Sequence, residues 1–302
     1  MAIEYAPYGQ IDKQKWDSCI AAASNGLIYA TSNYLDTMAD NWDALILDDY
    51  KAVMPLTWKK KYGFYYLYQP FFTASLGVFG KKITAAMVND FCNGIPAKFR
   101  YVDIYLNYAN RFQLKNFTLY ERSNYVLPLD KPYQEIYEGF RDNIKRNIRK
   151  ADKLGCEIKK DCSVNDVLKL ASEYSKDEML SQKDYKRFKK LYKLLYANKQ
   201  AAIYGIVSAS KELMASCVFF FYGNRAYYIL VGNHPNGKTI GASHALINAF
   251  IKDYAGKNMV LDFEGSDIRN LAFFYSSFGA VEEKYAQLKY NKLPRLLKLL
   301  KR

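Results

Sequence analysis

The stretch "VLDFEGSDIRNLAFFYSSFGA", residues 260–280, decides how this chain reads. An apolar run ends in two acids, Asp262 and Glu264, and Gly265 follows. Apolar residues then recur at helical spacing until Gly279. The pattern is a buried strand, a turn and an amphipathic helix. Residues two apart in a strand share a face, so Asp262 and Glu264 are expected to point the same way at its end. Ser266 and Asp267 are expected to cap the helix, which leaves Glu264 outside the cap. Ile268, Leu271, Ala272, Tyr275 and Phe278 are expected to form its apolar stripe.

Working outward, residues 202–232 read as three strands with turns at "SKE" and "GNR". The loop "HPNGKTIGAS" follows, then a helix to about Tyr254 stopped by Gly256. The strand and helix just described come next, and a last strand, "YAQLKYN", closes the half. The first half gives the same order. It has a meander over 43–68, the loop "QPFFTASLGVFGKK", the helix "ITAAMVNDFCN", the strand "RYVDIYL", a short helical piece and the strand "NYVLPL". We expect an α/β (α+β) protein of two tandem units, residues 1–130 and 131–302, each a mixed, mostly antiparallel sheet flanked by helices. The alternative is that two mixed units share an order without duplication. Aligned by order, Asp262 has a counterpart in Asp103, whereas Tyr105 stands opposite Glu264. A feature of both copies suits architecture, and one found in a single copy suits a site. Asp262 therefore reads as architectural and Glu264 as the better candidate base.

Composition narrows the function. The five cysteines are scattered without CxxC spacing and there are two histidines, so neither a zinc site nor a disulfide framework is expected. No metal is expected. The N-terminal "MAIEYAPYGQIDKQKWD" lacks the marks of a signal peptide, and no apolar run reaches the roughly 18 residues of a membrane span. A reducing cytoplasm is the simplest home. The formal net charge is +14. Residues 131–200 hold 18 Lys/Arg against 11 Asp/Glu, and residues 284–302 hold 7 against none, so each segment carries +7 and the rest is neutral. Two local basic surfaces suit an anionic partner, although solvated helix faces would look the same.

One such surface lies on "EIYEGFRDNIKRNIRKADKLG", residues 135–155. Ile136, Phe140, Ile144, Ile148 and Ala151 make one helical stripe, and Arg141, Lys145, Arg146, Arg149 and Lys150 occupy the other faces. A strand, "CEIKK", and two helices near 163–178 and 182–198 follow, the second lysine-rich with Tyr185, Phe188, Leu191, Tyr192 and Leu195 inward. Cations interleaved with tyrosines suit an RNA backbone or a long phosphorylated donor. The basic tail "KLPRLLKLLKR" suits an anionic membrane face, or packs its leucines on the protein.

The order of elements resembles the GNAT acyltransferase fold, and two copies in a chain of this length resemble the FemABX-like acyltransferases, in particular the acetyltransferase-like proteins of Bacteroidetes-type bacteria. The resemblance is carried by "NIKRNIRKADKLG", "QPFFTASLGVFG" and "LDFEGSDIRNLAFFYSSFGA". It implies N-acyl or aminoacyl transfer to an amine, with acyl-CoA (acetyl-CoA) or aminoacyl-tRNA as donor. The acceptor would be a cell-wall precursor, lipid, sugar or protein amine, met in the cytoplasm or at the inner membrane face. Two departures stand out. No heptads build the coiled-coil arm of some Fem enzymes, and "HPNGKTIGAS" is an imperfect version of the Gln/Arg-x-x-Gly-x-Gly/Ala loop of acyl-CoA enzymes.

The second half is expected to build most of the cleft. Gly237, Gly241 and Ala242 are small and a helix is expected to start near Thr239 or Ile240, so backbone N–H groups there suit a phosphate, with Lys238 adding charge. An ordinary turn loop is the alternative. The resemblance implies that backbone near Val231, Gly232 and Asn233 stabilises the oxyanion. Glu264, with Asp262 beside it, suits the base that deprotonates an attacking ammonium. The resemblance suggests Tyr275 as the acid for the leaving group; a core tyrosine is the alternative. His234 and His244 have no partner that sequence can place, and His244 reads as a packed or surface residue. A rival reading is a non-catalytic RNA- or membrane-surface-binding protein on a decayed acyltransferase scaffold.

Overall fold

The structure, a computed structural model, describes residues 2–160, 162–174, 180–265 and 267–294. They form two compact units, residues 1–122 with 284–302, and residues 123–283. Ser266 and most of the basic tail lie outside the described residues.

The first unit begins with elements that the sequence reading did not place: strand β1 (Ile3–Ala6) and helices α1 (Lys13–Ala22) and α2 (Ser32–Met38). The meander is as expected, β2 (Trp42–Leu47), β3 (Ala52–Lys61) and β4 (Phe64–Tyr68). A two-residue strand, β5 (Phe79–Gly80), joins β3 from within the expected loop. Helix α3 (Ala85–Asn93) starts where Thr84 Oγ1 accepts the Met87 N–H at 3.2 Å and stops at Gly94. Strands β6 (Phe99–Leu106) and β7 (Leu119–Pro128) follow. In this unit β4 and β6 are parallel and the other pairings antiparallel, in the order β1-β2-β3-β4-β6. Leu45, Met54, Leu67, Val102 and Ile104 of the sheet bury against Val88, Phe91 and Cys92 of α3.

In the second unit, residues 135–155 are not one helix. The structure breaks them into α4 (Tyr133–Glu138) and α5 (Asp142–Lys153). The Gly139 N–H closes α4 on the Ile136 carbonyl at 3.1 Å, and the Arg141 N–H leaves the helix path for the Ser277 carbonyl at 2.9 Å. Ile136, Phe140 and Ile144 still share one core, so the stripe survives the break. Then come β8 (Glu157–Lys159), α6 (Val164–Tyr174), α7 (Gln182–Ala197), β9 (Ala201–Val207), β10 (Leu213–Tyr222), β11 (Arg225–Asn233), α8 (Pro235–Ile240), α9 (Ala242–Tyr254), β12 (Val260–Asp262), α10 (Arg269–Ser276) and β13 (Val281–Asn291). The unit's sheet runs β7-β12-β11-β10-β9-β8, with β11 and β12 parallel and its other pairings antiparallel. One face packs on α4, α5, α9 and α10, around Phe140, Ile144, Leu246, Phe250 and Tyr275. On the other, Phe188 of α7 stacks on Phe220, and Gly232 brings β11 against α6.

The final strands differ from expectation. The sequence reading closes each half with its own last strand. Instead, Val126, Leu127 and Pro128 of β7 pair with β12, and Ala286 to Asn291 of β13 pair with β6. The two segments have similar patterns and flank equivalent parallel strands, so local sequence does not specify which neighbour each takes.

Candidate active site

Within the second unit, β11 and β12 pair only through Arg225↔Val260, Ala226↔Leu261 and Tyr227↔Asp262. Strand β12 ends there, while β11 runs on to Asn233. A bulge marks the parting: Val218 faces Leu230 and Phe219 faces Tyr228, leaving Ile229 as the extra residue. The His234 N–H donates to the Met214 carbonyl of β10 at 3.0 Å. Antiparallel alternation from that pair turns the amides of Gly232 and Leu230 toward β10 and those of Val231 and Asn233 away from it. Of the three backbone positions singled out by sequence, Val231 and Asn233 thus offer N–H groups to the open edge, and Gly232 does not. Gly232 is instead a packing glycine, because a Cβ there would stand 2.9 Å from the Ala171 nitrogen of α6.

Glu264 hangs beside this edge, but not as the strand pattern suggests. Its φ is +65°, in the left-handed region, and it lies beyond the end of β12. The shared-face argument for Asp262 and Glu264 therefore fails, because alternation stops where the strand does. Two buried side chains fix the turn. Asp262 Oδ1 accepts the Glu264 N–H at 2.8 Å, and Asn124 Oδ1 accepts the N–H groups of Gly265 and, at 2.8 Å, of Tyr125. Asn124 Nδ2 ties the pair together by donating to Asp262 Oδ1 at 2.9 Å. Arg225 Nη1 donates to Asp262 Oδ2 at 2.6 Å, and its guanidinium also grips Glu283 at 2.9 and 3.0 Å. Asp262 is 4 % exposed and fully engaged, so its carboxylate supports the turn. Asn124, Arg225 and Glu283 were missed by sequence reasoning, because their roles depend on strand pairing.

The Glu264 carboxylate lies near Cys217 of β10 and Tyr275 of α10. The Cys217 thiol is pushed well up by burial and then by Glu264. The Tyr275 phenol is raised by burial first, with Cys217 and Glu264 adding to it. Tyr275 stacks on Phe263 with centroids 4.5 Å apart and meets the buried Tyr228 ring edge-on at 6.4 Å. Tyr275 is a core ring, and its surroundings keep its proton on.

Helix α10 departs from the expected stripe. Ile268 is 63 % and Leu271 40 % exposed, while Tyr275 and Phe278 are buried. The cap also differs. Ile268 is the N-cap residue without a side-chain bond, and Asp267 instead accepts the Ser123 N–H at 3.1 Å.

The glycine loop folds as a helix. The short α8 begins at Pro235, not near Thr239, and carries Gly237, Lys238 and Thr239. His234 caps it by accepting the Asn236 N–H on Nδ1 at 3.2 Å. The Gly237 N–H bonds the His234 carbonyl and that of Gly241 the Lys238 carbonyl; the His244 and Ala245 amides bond the Gly241 carbonyl. Both glycines serve close packing. A Cβ would meet the Met214 carbonyl oxygen at 2.2 Å from Gly237, and the Asn147 carbonyl oxygen at 2.4 Å from Gly241, whose φ is +79°. Ala242 is buried at the start of α9, and Lys238 and Thr239 are exposed. The two glycines expected to open a phosphate cradle thus face the Met214 and Asn147 carbonyls. His244 is half-buried against Phe274, with its pKa lowered to about 4 by burial.

Arg141, Arg146, Arg149 and Lys150 are exposed and Lys145 is half-buried. The Arg141 guanidinium lies 4.8 Å from the Phe273 ring centre, and Lys145 Nζ donates to the Glu138 carbonyl at 2.9 Å. Among the described residues no group of three or more His, Cys, Asp and Glu side chains could hold a metal, and no helix is long and apolar enough to cross a membrane.

Comparison with known proteins agrees with this architecture. Residues 138–269 match the family model of the acetyltransferase (GNAT) domain. No curated protein sequence matches the chain. The structure of FemX matches with a TM-score of 0.68 at 12% identity, over 100% of both chains. A conserved protein from Bacteroides thetaiotaomicron matches with 0.62 at 12% identity, over 96% of this chain and 100% of that one. The C-terminal domain of an Agrobacterium fabrum protein assigned as a lysylphosphatidylglycerol synthetase matches with 0.55 at 9% identity, over 96% and 94%.

Proposed function

We propose that this chain, a GNAT-type acyltransferase of FemABX-like fold, transfers an aminoacyl group from aminoacyl-tRNA to an amine by direct attack. The observation that carries the reading is the turn at Glu264, whose backbone Asp262 and Asn124 hold at the end of β12, where β11 runs on past its partner strand. Glu264 takes the proton of the attacking ammonium. The amides of Val231 and Asn233 receive the negative charge that develops on the carbonyl oxygen. The departing ribose oxygen is a strong base and needs a proton. Tyr275, held protonated by burial, supplies one.

Two observations favour tRNA over acyl-CoA. The amides of Gly237, Gly241, His244 and Ala245 are already bonded within the chain. The exposed cations of α7, on the sheet face opposite α5, offer a phosphate-binding surface. Acyl-CoA is the second reading, favoured by the GNAT domain match. The acceptor amine belongs to a cell-wall precursor or a lipid, two of the classes that the FemABX-like resemblance implies.

The test offers the full chain labelled aminoacyl-tRNA with each acceptor class, and separately follows its thermal midpoint against acetyl-CoA. Transfer from tRNA that Glu264→Gln abolishes supports the reading. A graded rise with acetyl-CoA, without transfer from tRNA, replaces the donor. Full transfer by Glu264→Gln removes the base, and neither binding nor transfer leaves the non-catalytic reading.

A further inference from the structure

We propose that the exposed beginning of helix α10 and the cationic face of α5 form a docking surface for an anionic lipid bilayer. Every residue from Asp267 to Leu271 is exposed, and Ile268 is 63 %, Leu271 40 % and Phe273 54 % exposed. The start of α10 thus carries three large apolar side chains in solvent, where a helix end in a folded protein normally keeps polar ones. Tyr275, farther along α10, belongs to the candidate site, so the surface lies next to the chemistry.

Charge selects the occupant. The Arg141 guanidinium lies 4.8 Å from the Phe273 ring centre, and the Arg141 N–H bonds the Ser277 carbonyl at 2.9 Å, which joins the start of α5 to α10. From Arg141 to Lys153 the chain carries six cations (Arg141, Lys145, Arg146, Arg149, Lys150 and Lys153) against Asp142 and Asp152, a net +4. Apolar side chains that enter the acyl boundary, flanked by cations at headgroup level, match an interfacial lipid surface. RNA would use the cations but leave Ile268 and Leu271 in water. The acceptor amine would then reach the site from the lipid phase. Docking itself does not depend on the acyl-transfer reading.

Co-sedimentation of the full chain with phosphatidylglycerol vesicles, and with neutral phosphatidylcholine vesicles, tests the surface without any chemistry. Binding is expected to the anionic vesicles. It should weaken about tenfold or more both in a Leu271→Ser, Phe273→Ser double variant and in an Arg146→Glu, Arg149→Glu double variant. An unchanged thermal midpoint in each double variant confirms that folding is retained. Binding unchanged in both variants would overturn the proposal in favour of the C-terminal tail. Equal binding to both vesicle types would overturn the charge selection. Loss of tRNA binding in the arginine variant, with no vesicle binding by the parent chain, would reassign the cations to RNA.

Discussion

Asp262 Oδ1 receives the Glu264 N–H at 2.8 Å while Oδ2 receives the Arg225 Nη1–H at 2.6 Å. One buried carboxylate thereby links the sheet to the turn that carries the candidate base. Removing it takes away one of the two carboxylates bound to Arg225, whose side chain is only 11% exposed. Asp262→Ala should destabilise the protein by about 3–5 kcal/mol, read from the urea midpoint at constant slope. Asp262→Asn retains an acceptor for the Glu264 amide and should lose less. Equal stability of Asp262→Ala and the parent would show that the network contributes no support.

Glu264 occupies a left-handed conformation at φ +65°, which costs a non-glycine residue about 1–2 kcal/mol. Glu264→Gly should therefore keep or raise stability by up to about 1 kcal/mol while abolishing transfer. Thermal unfolding and a transfer assay together check this. A strongly destabilised glycine variant would mean that the carboxylate holds the fold together and that its place in the site is incidental.

Much of this frame was legible in sequence. The meanders of both halves, helices α3 and α9 and the strand–turn–helix of residues 260–280 follow from local periodicity and from stops at Gly94 and Gly256. The break at Gly139 was hidden because Ile136, Phe140 and Ile144 keep a helical spacing across it. Helix α1 was missed because its buried residues, Trp16, Cys19 and Ile20, span little more than one helical turn. At the site, Glu264 and Tyr275 stood out by type and position. Their setting did not, since it needs Asn124, 138 residues before Asp262, and Cys217 on a neighbouring strand. The glycine loop misled for the same reason. Its small residues answer to the Met214 and Asn147 carbonyls, which no local pattern reveals.

Those carbonyls make a direct prediction. In Gly237→Ala the new methyl would stand 2.2 Å from the Met214 oxygen, so backbone must move. A loss of about 1–3 kcal/mol is expected, with or without acetyl-CoA present. If Gly237→Ala folds normally and only abolishes an acetyl-CoA-dependent rise in thermal midpoint, the glycine faces a phosphate after all.

His244 supplies a pH signature. Burial against Phe274 lowers its pKa to about 4, below the roughly 6.5 of an exposed imidazole. Between these values the unfolded chain binds the proton that the folded chain refuses, so stability rises with pH across this window. The contribution is complete above about pH 6.5 and disappears as pH falls toward about 4. Its full size is about 3 kcal/mol. A His244→Phe variant, which keeps an aromatic ring beside Phe274, should lose less stability than the parent on acidification over this range. Urea midpoints of both proteins at pH 4.5 and 7 measure the difference, which cancels the carboxylates they share. Parallel pH profiles would show that His244 accepts its proton in the folded protein, and that the imidazole reaches water.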